Sequence, residues 1–310
     1  MTRSPARDGS RAAAVRRVLW VTLALNLTVA VAKIAYGFAA NALSIRADGF
    51  HSLTDSSNNL VGLLGVAIAS RPADDNHPYG HQKFEVIAAG LVGLSLLGMA
   101  YDVARGAVAR LTGPAGAPPD LDALAFVVLL GTLAVNVGVS VWEHRRGVAL
   151  KSPMLISDAL HTRSDVFVTL GVLATVVCVR AGIVVADIVA ALLVAGFIGW
   201  AGIGVLRMNL NYLADSAILD PGEIVAAACE VPGVAGAHKV RTRGMPGRVY
   251  VDLHIQVAPH LTVGEAHRVT HWVIDCLKDR FDGVRDVLVH TEPARPDQAY
   301  KPLPKDLSES

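Results

Sequence analysis

Long apolar runs divide the first two thirds of the chain. Six of them lie near residues 18–40, 47–70, 84–110, 121–142, 153–179 and 182–206. Each run, as a helix, is long enough to cross a hydrocarbon core of about 30 Å. A segment inside lipid must satisfy its backbone polar groups internally, and a helix does so. The pattern therefore predicts a membrane α-helical protein with a bundle of six transmembrane helices.

After Asp215 the pattern changes to the alternation of a soluble domain. It predicts helices at 221–230 and 263–280 and strands at 237–243, 248–257 and 285–291. The order αββαβ is typical of a small ferredoxin-like α+β domain. Three prolines and several charges over residues 294–310 indicate a flexible tail. We therefore divide the chain into an N-terminal tail (1–15), a six-helix domain (16–210), a soluble domain (211–293) and this tail.

Composition agrees with a membrane protein and excludes other classes. The 310 residues are 52% hydrophobic and 18% charged. The net charge of +1 gives no basic field for nucleic acid. The three cysteines, Cys178, Cys229 and Cys276, have no CxxC spacing, which argues against a disulfide framework and a thiolate metal site.

Basic residues are unevenly divided between the two sets of loops. One set holds Arg3, Arg7, Arg11, Arg16, Arg17, Arg71, Lys83, Arg145, Arg146 and Lys151, and the other holds little beyond Arg46, Arg110 and Arg180. The positive-inside rule then places both termini in the cytoplasm of a multi-pass protein of the inner (plasma) membrane. A cleaved signal peptide is the alternative for the first run, but its length and the later runs favour a transmembrane helix.

A D-x-x-H-x-x-x-D pattern occurs twice, once in the second run and once in the fifth. The copies are Asp48, His51 and Asp55, and Asp158, His161 and Asp165. The spacing places each set on one helical face, and ionisable groups at membrane depth are costly unless they pair or line a polar pathway. Polar contacts between helices are the alternative, but the repetition favours function.

Two imidazoles and two carboxylates form a donor set that suits tetrahedral zinc. We expect the ligands to be His51, Asp55, His161 and Asp165. The remaining acids, Asp48 and Asp158, stand about one turn before each histidine, where they can orient an imidazole or carry protons.

Two further clusters of candidate ligands lie outside the apolar runs. Asp74, Asp75, His77 and His81 follow the second run, and they form either a metal site or a solvated turn started by Pro72 and Pro78. The soluble domain holds His238, His254, His267, His290 and Glu292, which either converge on one metal site or are scattered surface residues. Spacing alone leaves both alternatives open.

Five segments resemble the cation diffusion facilitator family, and the resemblance covers about residues 15–293. They are ADGFHSLTD at 47–55, RPADDNHPYGHQKFE at 71–85, SDALHTRSD at 157–165, GAHKVRTR at 236–243 and VLVHTEP at 287–293. The resemblance implies a non-enzymatic homodimer with cytoplasmic ferredoxin-like domains that exports divalent metal in exchange for protons.

The resemblance also assigns site residues. It implies a transport site of His51, Asp55, His161 and Asp165, a loop site of Asp74, His77 and His81, and a cytoplasmic site of His238, His254, His267, His290 and Glu292. Glu292 stands where we expect aspartate in relatives, and many relatives carry aspartate in place of His51.

The histidine at position 51 favours borderline metals, with zinc first as the transported ion and as a structural or regulatory one. Iron, cadmium, cobalt and nickel stay open, because the loop Trp142–Pro153 contains only His144 and is not histidine-rich. A membrane-bound metal sensor without flux is the alternative function. A zinc hydrolase is disfavoured, since four protein ligands leave no open position for water and no spare base.

Overall fold

The computed structural model describes residues 5–39, 43–112, 123–180 and 184–295. The described residues form two compact units, one from Pro5 to Leu210 and one from Asn211 to Arg295.

Six long helices make up the first unit, in the regions that the apolar runs predict. They are α1 (Pro5–Ala39), α2 (Leu43–Ala69), α3 (Lys83–Thr112), α4 (Ala123–Ala149), α5 (Pro153–Arg180) and α6 (Val184–Leu213). Over the described residues, four segments are long and apolar enough to cross a membrane: Gly9–Tyr36, Lys83–Ala109, Phe126–Ala149 and Ile188–Leu213. The protein is thus a multi-pass membrane protein, and the crossing of the membrane by α2 and α5 stays a prediction.

Small residues let the helices of this unit approach closely. A Cβ atom added at Gly65 of α2 would meet the Ala88 side chain and the Phe84 carbonyl oxygen of α3, and one added at Gly62 would meet Met154 of α5. Close backbone approach through glycine is a common way to pack helices in membranes, where apolar burial alone gives little attraction between them.

Helix α1 starts earlier than the apolar pattern suggests. It begins at Pro5, so residues 5–15, which we assigned to the N-terminal tail, are helical. The side chain of Arg11 explains the difference, because it forms a salt bridge with buried Glu85 of α3, with Nη1 3.0 Å from Oε2. This contact ties the start of α1 to the bundle.

The second unit has the predicted αββαβ order. Its elements are α7 (Pro221–Cys229), β1 (Val234–Met245), β2 (Arg248–Val257), α8 (Val263–Arg280) and β3 (Val284–Pro293). The sheet order is β1-β2-β3, with β1 antiparallel and β3 parallel to β2. The helices cover a core that includes Ile224, Leu253, Ile255, Val273 and Leu277. The predicted tail lies outside the described residues from residue 296 onward.

Local sequence signals set the ends of these elements. Gly244, near the end of β1, and Gly247, in the connection to β2, have positive φ angles of 119° and 84° that glycine adopts readily. Thr262 and Glu265 form a capping box at the start of α8, in which each side chain accepts a hydrogen bond from the other residue's backbone N–H.

Candidate metal centres

A small polar cavity lies among the helices of the first unit. Its volume is about 40 Å³, which is enough for a few water-sized ligands. It is lined by Asn26, Val29, Lys33, Ser52, Asn136, Asp158, His161, Asp165, Val168 and Thr169.

The second motif copy faces this cavity. Asp158 and His161 are only 2% and 4% exposed, and Asp165 is half-buried. All three line the cavity because they are spaced three and four residues apart on α5. One imidazole and two carboxylates thus converge on a space that a partly hydrated cation would fill.

Asparagines of α2 hold two of these groups in place. Asn58 Nδ2 lies 3.1 Å from His161 Nε2. Asn59 Nδ2 donates to Asp158 Oδ2, and Asn59 Oδ1 accepts from Asn26 Nδ2 over 3.0 Å. These asparagines were not predicted as site residues from the sequence. Their signal was present, because Asn58 and Asn59 stand three and four residues after Asp55 and so continue its helical face.

The first motif copy lies on α2, which packs against α5. The side chains of Asp48, His51 and Asp55 lie outside the described residues. Ser52, next to His51 in the chain, lines the cavity, so the motif-bearing part of α2 forms part of its wall. The full set of four transport ligands stays a prediction.

Two buried ionisable residues near the cavity were not predicted from the sequence. Lys33 of α1 is 3% exposed and donates from Nζ to Ser52 Oγ over 3.1 Å. Glu143 of α4 is fully buried, and its Oε1 accepts from the Thr22 hydroxyl over 3.5 Å. Lys33 therefore places an amino group in the wall of the cavity that Asp158, His161 and Asp165 also line.

The loop between α2 and α3 brings its three predicted ligands together. The ligand atoms of Asp74, His77 and His81 all lie within 4.8 Å of one another. Asp74 Oδ1 accepts from the backbone N–H of Asn76 over 3.1 Å and from that of His77 over 2.7 Å. The His77 hydrogen bond lowers the pKa of the Asp74 carboxyl, so this ligand stays anionic without metal.

The hydrogen bonds of His81 indicate where a cation would sit. Its Nδ1 lies 3.1 Å from the carbonyl oxygen of Pro72, which can only accept, so we assign the proton to Nδ1. In a neutral ring Nε2 then presents a lone pair, and it lies 3.3 Å from Asp74 Oδ2. Two facing acceptors need a cation between them, either a ring proton or a metal ion. His81 is buried, whereas Asp74 is exposed, so the site is open to solvent on one side.

Strand register forms the third cluster. His238 of β1 pairs with His254 of β2, and His254 pairs with His290 of β3, so three histidines form a row across the sheet. Glu292 reaches this row, with Oε1 2.6 Å from His254 Nδ1 and Oε2 3.2 Å from His238 Nε2. The His254 hydrogen bond lowers the pKa of the Glu292 carboxyl.

Three of the five predicted residues form the compact part of this cluster. The ligand atoms of His238, His254 and Glu292 lie within 4.8 Å of one another, while His290 Nε2 lies 3.8 Å from Glu292 Oε1. His267 is not part of that group: it is exposed on α8, and its ring centroid lies 4.5 Å from that of His271. Within one chain, two imidazoles and a carboxylate thus form a cluster that could hold a metal ion, with at least one position left for another ligand.

Family models match almost the whole chain. The cation efflux transmembrane domain matches residues 19–214, and the cation efflux protein cytoplasmic domain matches residues 219–294.

Curated relatives agree with these matches. The chain is 29% identical over 90% of its length to an uncharacterized transporter of Methanocaldococcus jannaschii, and it covers 98% of that protein. It is 28% identical over 89% of its length to the cation-efflux pump FieF of Shewanella oneidensis, covering 95% of it. Metal tolerance protein C1 of Arabidopsis thaliana is 29% identical over 90% of this chain, which spans 62% of that longer protein.

A solved structure titled "MamM CTD - Copper form" is 29% identical over 26% of this chain and 90% of its own, with a TM-score of 0.24. The assignment rests instead on the family models, which together cover both the membrane helices and the small α+β domain. The chain therefore belongs to the cation diffusion facilitator, or cation efflux, family of membrane metal-cation transporters.

Proposed function

We propose that this protein exports divalent transition-metal ions from the cytoplasm in exchange for protons, with zinc as the leading candidate substrate. The observation that carries the proposal is the cavity beside α5, where buried His161 and Asp158 converge with Asp165 inside a membrane helix bundle. Ionisable groups at that depth are costly and mark ion pathways. Iron, cadmium, cobalt and nickel are further candidate substrates, because the same donor types bind them.

The donor chemistry supports proton exchange. Metal binds imidazole and carboxylate only after their protons leave, so protons and metal compete for the same atoms. Histidine has an ordinary pKa of about 6.5, near physiological pH. Protons that enter from a more acidic outer side then displace the metal outward.

We place both termini in the cytoplasm and the protein in the plasma (inner) membrane, because basic residues favour that side. The chain acts as a homodimer through its cytoplasmic domains, which themselves bind metal at His238, His254 and Glu292. The loop site of Asp74, His77 and His81 binds a further ion near the cytoplasmic surface.

Proteoliposomes with an imposed pH gradient test this proposal. We expect zinc uptake that depends on the gradient and moves protons in the opposite direction, with both fluxes lost in His161→Ala. The matched control, His144→Ala, changes an exposed histidine of α4 and keeps both fluxes. A native protein that binds zinc but moves none of these metals would reject transport in favour of the sensor.

A further inference from the structure

Two surface grooves border helix α5, one shared with α4 and the other with α6. Their volumes are about 340 Å³ and 310 Å³. Leu160 and Arg163 line both grooves, so this part of α5 forms the ridge between them. Arg163 is exposed on this ridge, although α5 is a bundle helix.

The grooves have mostly apolar walls. Val137, Val141 and Phe167 line the first, and Phe197 and Trp200 line the second. Trp200 is 72% exposed on this face. Surfaces of this kind on a membrane helix suit contact with acyl chains rather than water.

Basic side chains complete both grooves. His144 and Arg145 line the first, Arg207 lines the second, and Arg163 lines both. Among the described residues that line the two grooves, none is acidic. The charge of these grooves is therefore complementary to an anion.

Contacts between the helices place most of these basic groups at one end. Ser140 Oγ of α4 donates to the Ala159 carbonyl over 2.9 Å, and Asn209 Nδ2 of α6 donates to Ser157 Oγ over 3.3 Å. The C-terminal ends of α4 and α6 thus lie beside the N-terminal part of α5, which puts Arg145 and Arg207 at the same end of the two grooves. The aromatic rings of Phe167 and Phe197 lie toward the other end of the grooves, in the direction of the C-terminus of α5, with their centroids 4.5 Å apart.

We infer that this face of α5 binds an anionic phospholipid, with its phosphate at Arg163 between Arg145 and Arg207 and its acyl chains in the two apolar grooves. The planar fork of arginine matches phosphate oxygens, and basic pockets between membrane helices are suited to lipid headgroups. A soluble phosphate would leave the apolar walls uncovered. A second copy of the chain, docked by two-fold symmetry, would present the same basic residues instead of an anion.

Native mass spectrometry of the full-length protein tests this inference. The protein is released from micelles that contain phosphatidylglycerol or phosphatidylcholine with identical acyl chains. We expect preferential retention of phosphatidylglycerol, and an apparent affinity about fivefold lower in Arg163→Gln, since one basic side chain near an anionic lipid contributes a factor of that order. Arg207→Gln is a second variant, so that the test does not depend on the folding of one protein.

The matched control is Arg146→Gln, because Arg146 is an exposed arginine of α4 that is not among the residues lining either groove. It should retain the lipid like the native protein. Four results would overturn the inference: equal retention of both lipids, native-like binding by both groove variants, an equal loss in Arg146→Gln, or displacement of the lipid by an equal concentration of glycerol phosphate. A dimer that carries no lipid and dissociates on Arg163→Gln would assign the face to a second copy instead.

Discussion

Replacing Arg11 with alanine removes the contacts that hold the start of α1 against the bundle. The guanidinium donates to both carboxylate oxygens of Glu85, over 3.0 Å and 3.2 Å. It also donates to the carbonyl oxygens of Leu150 and Lys151, over 2.8 Å and 2.9 Å. One side chain thus connects α1 with α3 and with the segment that joins α4 to α5.

The size of the effect follows from burial. Glu85 is 1% exposed, so the alanine variant leaves a buried carboxylate without its cation, and breaking such a pair costs about 3–5 kcal/mol. Two features place the expected loss at the lower end, about 3 kcal/mol. The Ser152 hydroxyl still donates to Glu85 Oε1 over 2.5 Å, and Arg11 itself is 18% exposed, so water partly replaces it.

The assay is the free energy of unfolding in mixed micelles, measured by SDS titration and helical circular dichroism. Arg17→Ala is the matched control, because Arg17 is exposed on the same helix and should change stability by no more than about 0.5 kcal/mol. The double variant Arg11→Ala/Glu85→Gln should lose less than the sum of the single variants, since the two groups interact directly. Equal effects of Arg11→Ala and Arg17→Ala would refute the reasoning.

Three further predictions concern packing, pH and the loop site. Gly65→Ala should destabilise the bundle by about 1–3 kcal/mol, because its methyl group would overlap Ala88, whereas Gly98→Ala has open space and should be tolerated in the same SDS titration. The Thr262 backbone N–H lowers the pKa of Glu265 from its ordinary value of 4.5. The ionised Glu265 side chain therefore stabilises the fold above about pH 4.5, and this stabilisation is lost as the pH falls through the lower pKa of the folded state. Glu265→Gln should abolish this part of the pH dependence of the unfolding free energy. His81→Ala should remove one zinc ion per chain in equilibrium dialysis.

Each of these predictions has a contradicting result. Equal stability of the two glycine variants would show that α2 and α3 can separate without loss. If the unfolding free energy of Glu265→Gln kept the native pH dependence, that dependence would belong to other groups. Unchanged zinc content in His81→Ala, with His144→Ala as the control, would make the loop cluster a solvated turn.

The sequence predicted the helices well because apolar runs in lipid have few structural alternatives. It did not predict the start of α1 at Pro5, since the partner of Arg11 lies 74 residues away in the chain. The αββαβ order also followed from local patterns and is confirmed.

The candidate sites were predictable as residues but only partly as geometry. The repeated motif predicted His161 and Asp165 as ligands from spacing alone, and both line the cavity. The row of His238, His254 and His290 depends on strand register, including a parallel pairing that no local pattern specifies. Lys33 and Glu143 were missed because a single charge at the edge of, or within, an apolar run has no periodic signal.

The most direct test of the proposed function compares zinc flux in Asp165→Asn with that in Asp102→Asn, in proteoliposomes with the same pH gradient. Asp165 lines the cavity on α5, whereas Asp102 is exposed on α3, and both substitutions remove one carboxylate. The account predicts that Asp165→Asn loses gradient-driven zinc flux while Asp102→Asn retains it. Equal flux in the two variants, with both proteins folded, would contradict a transport site in this cavity.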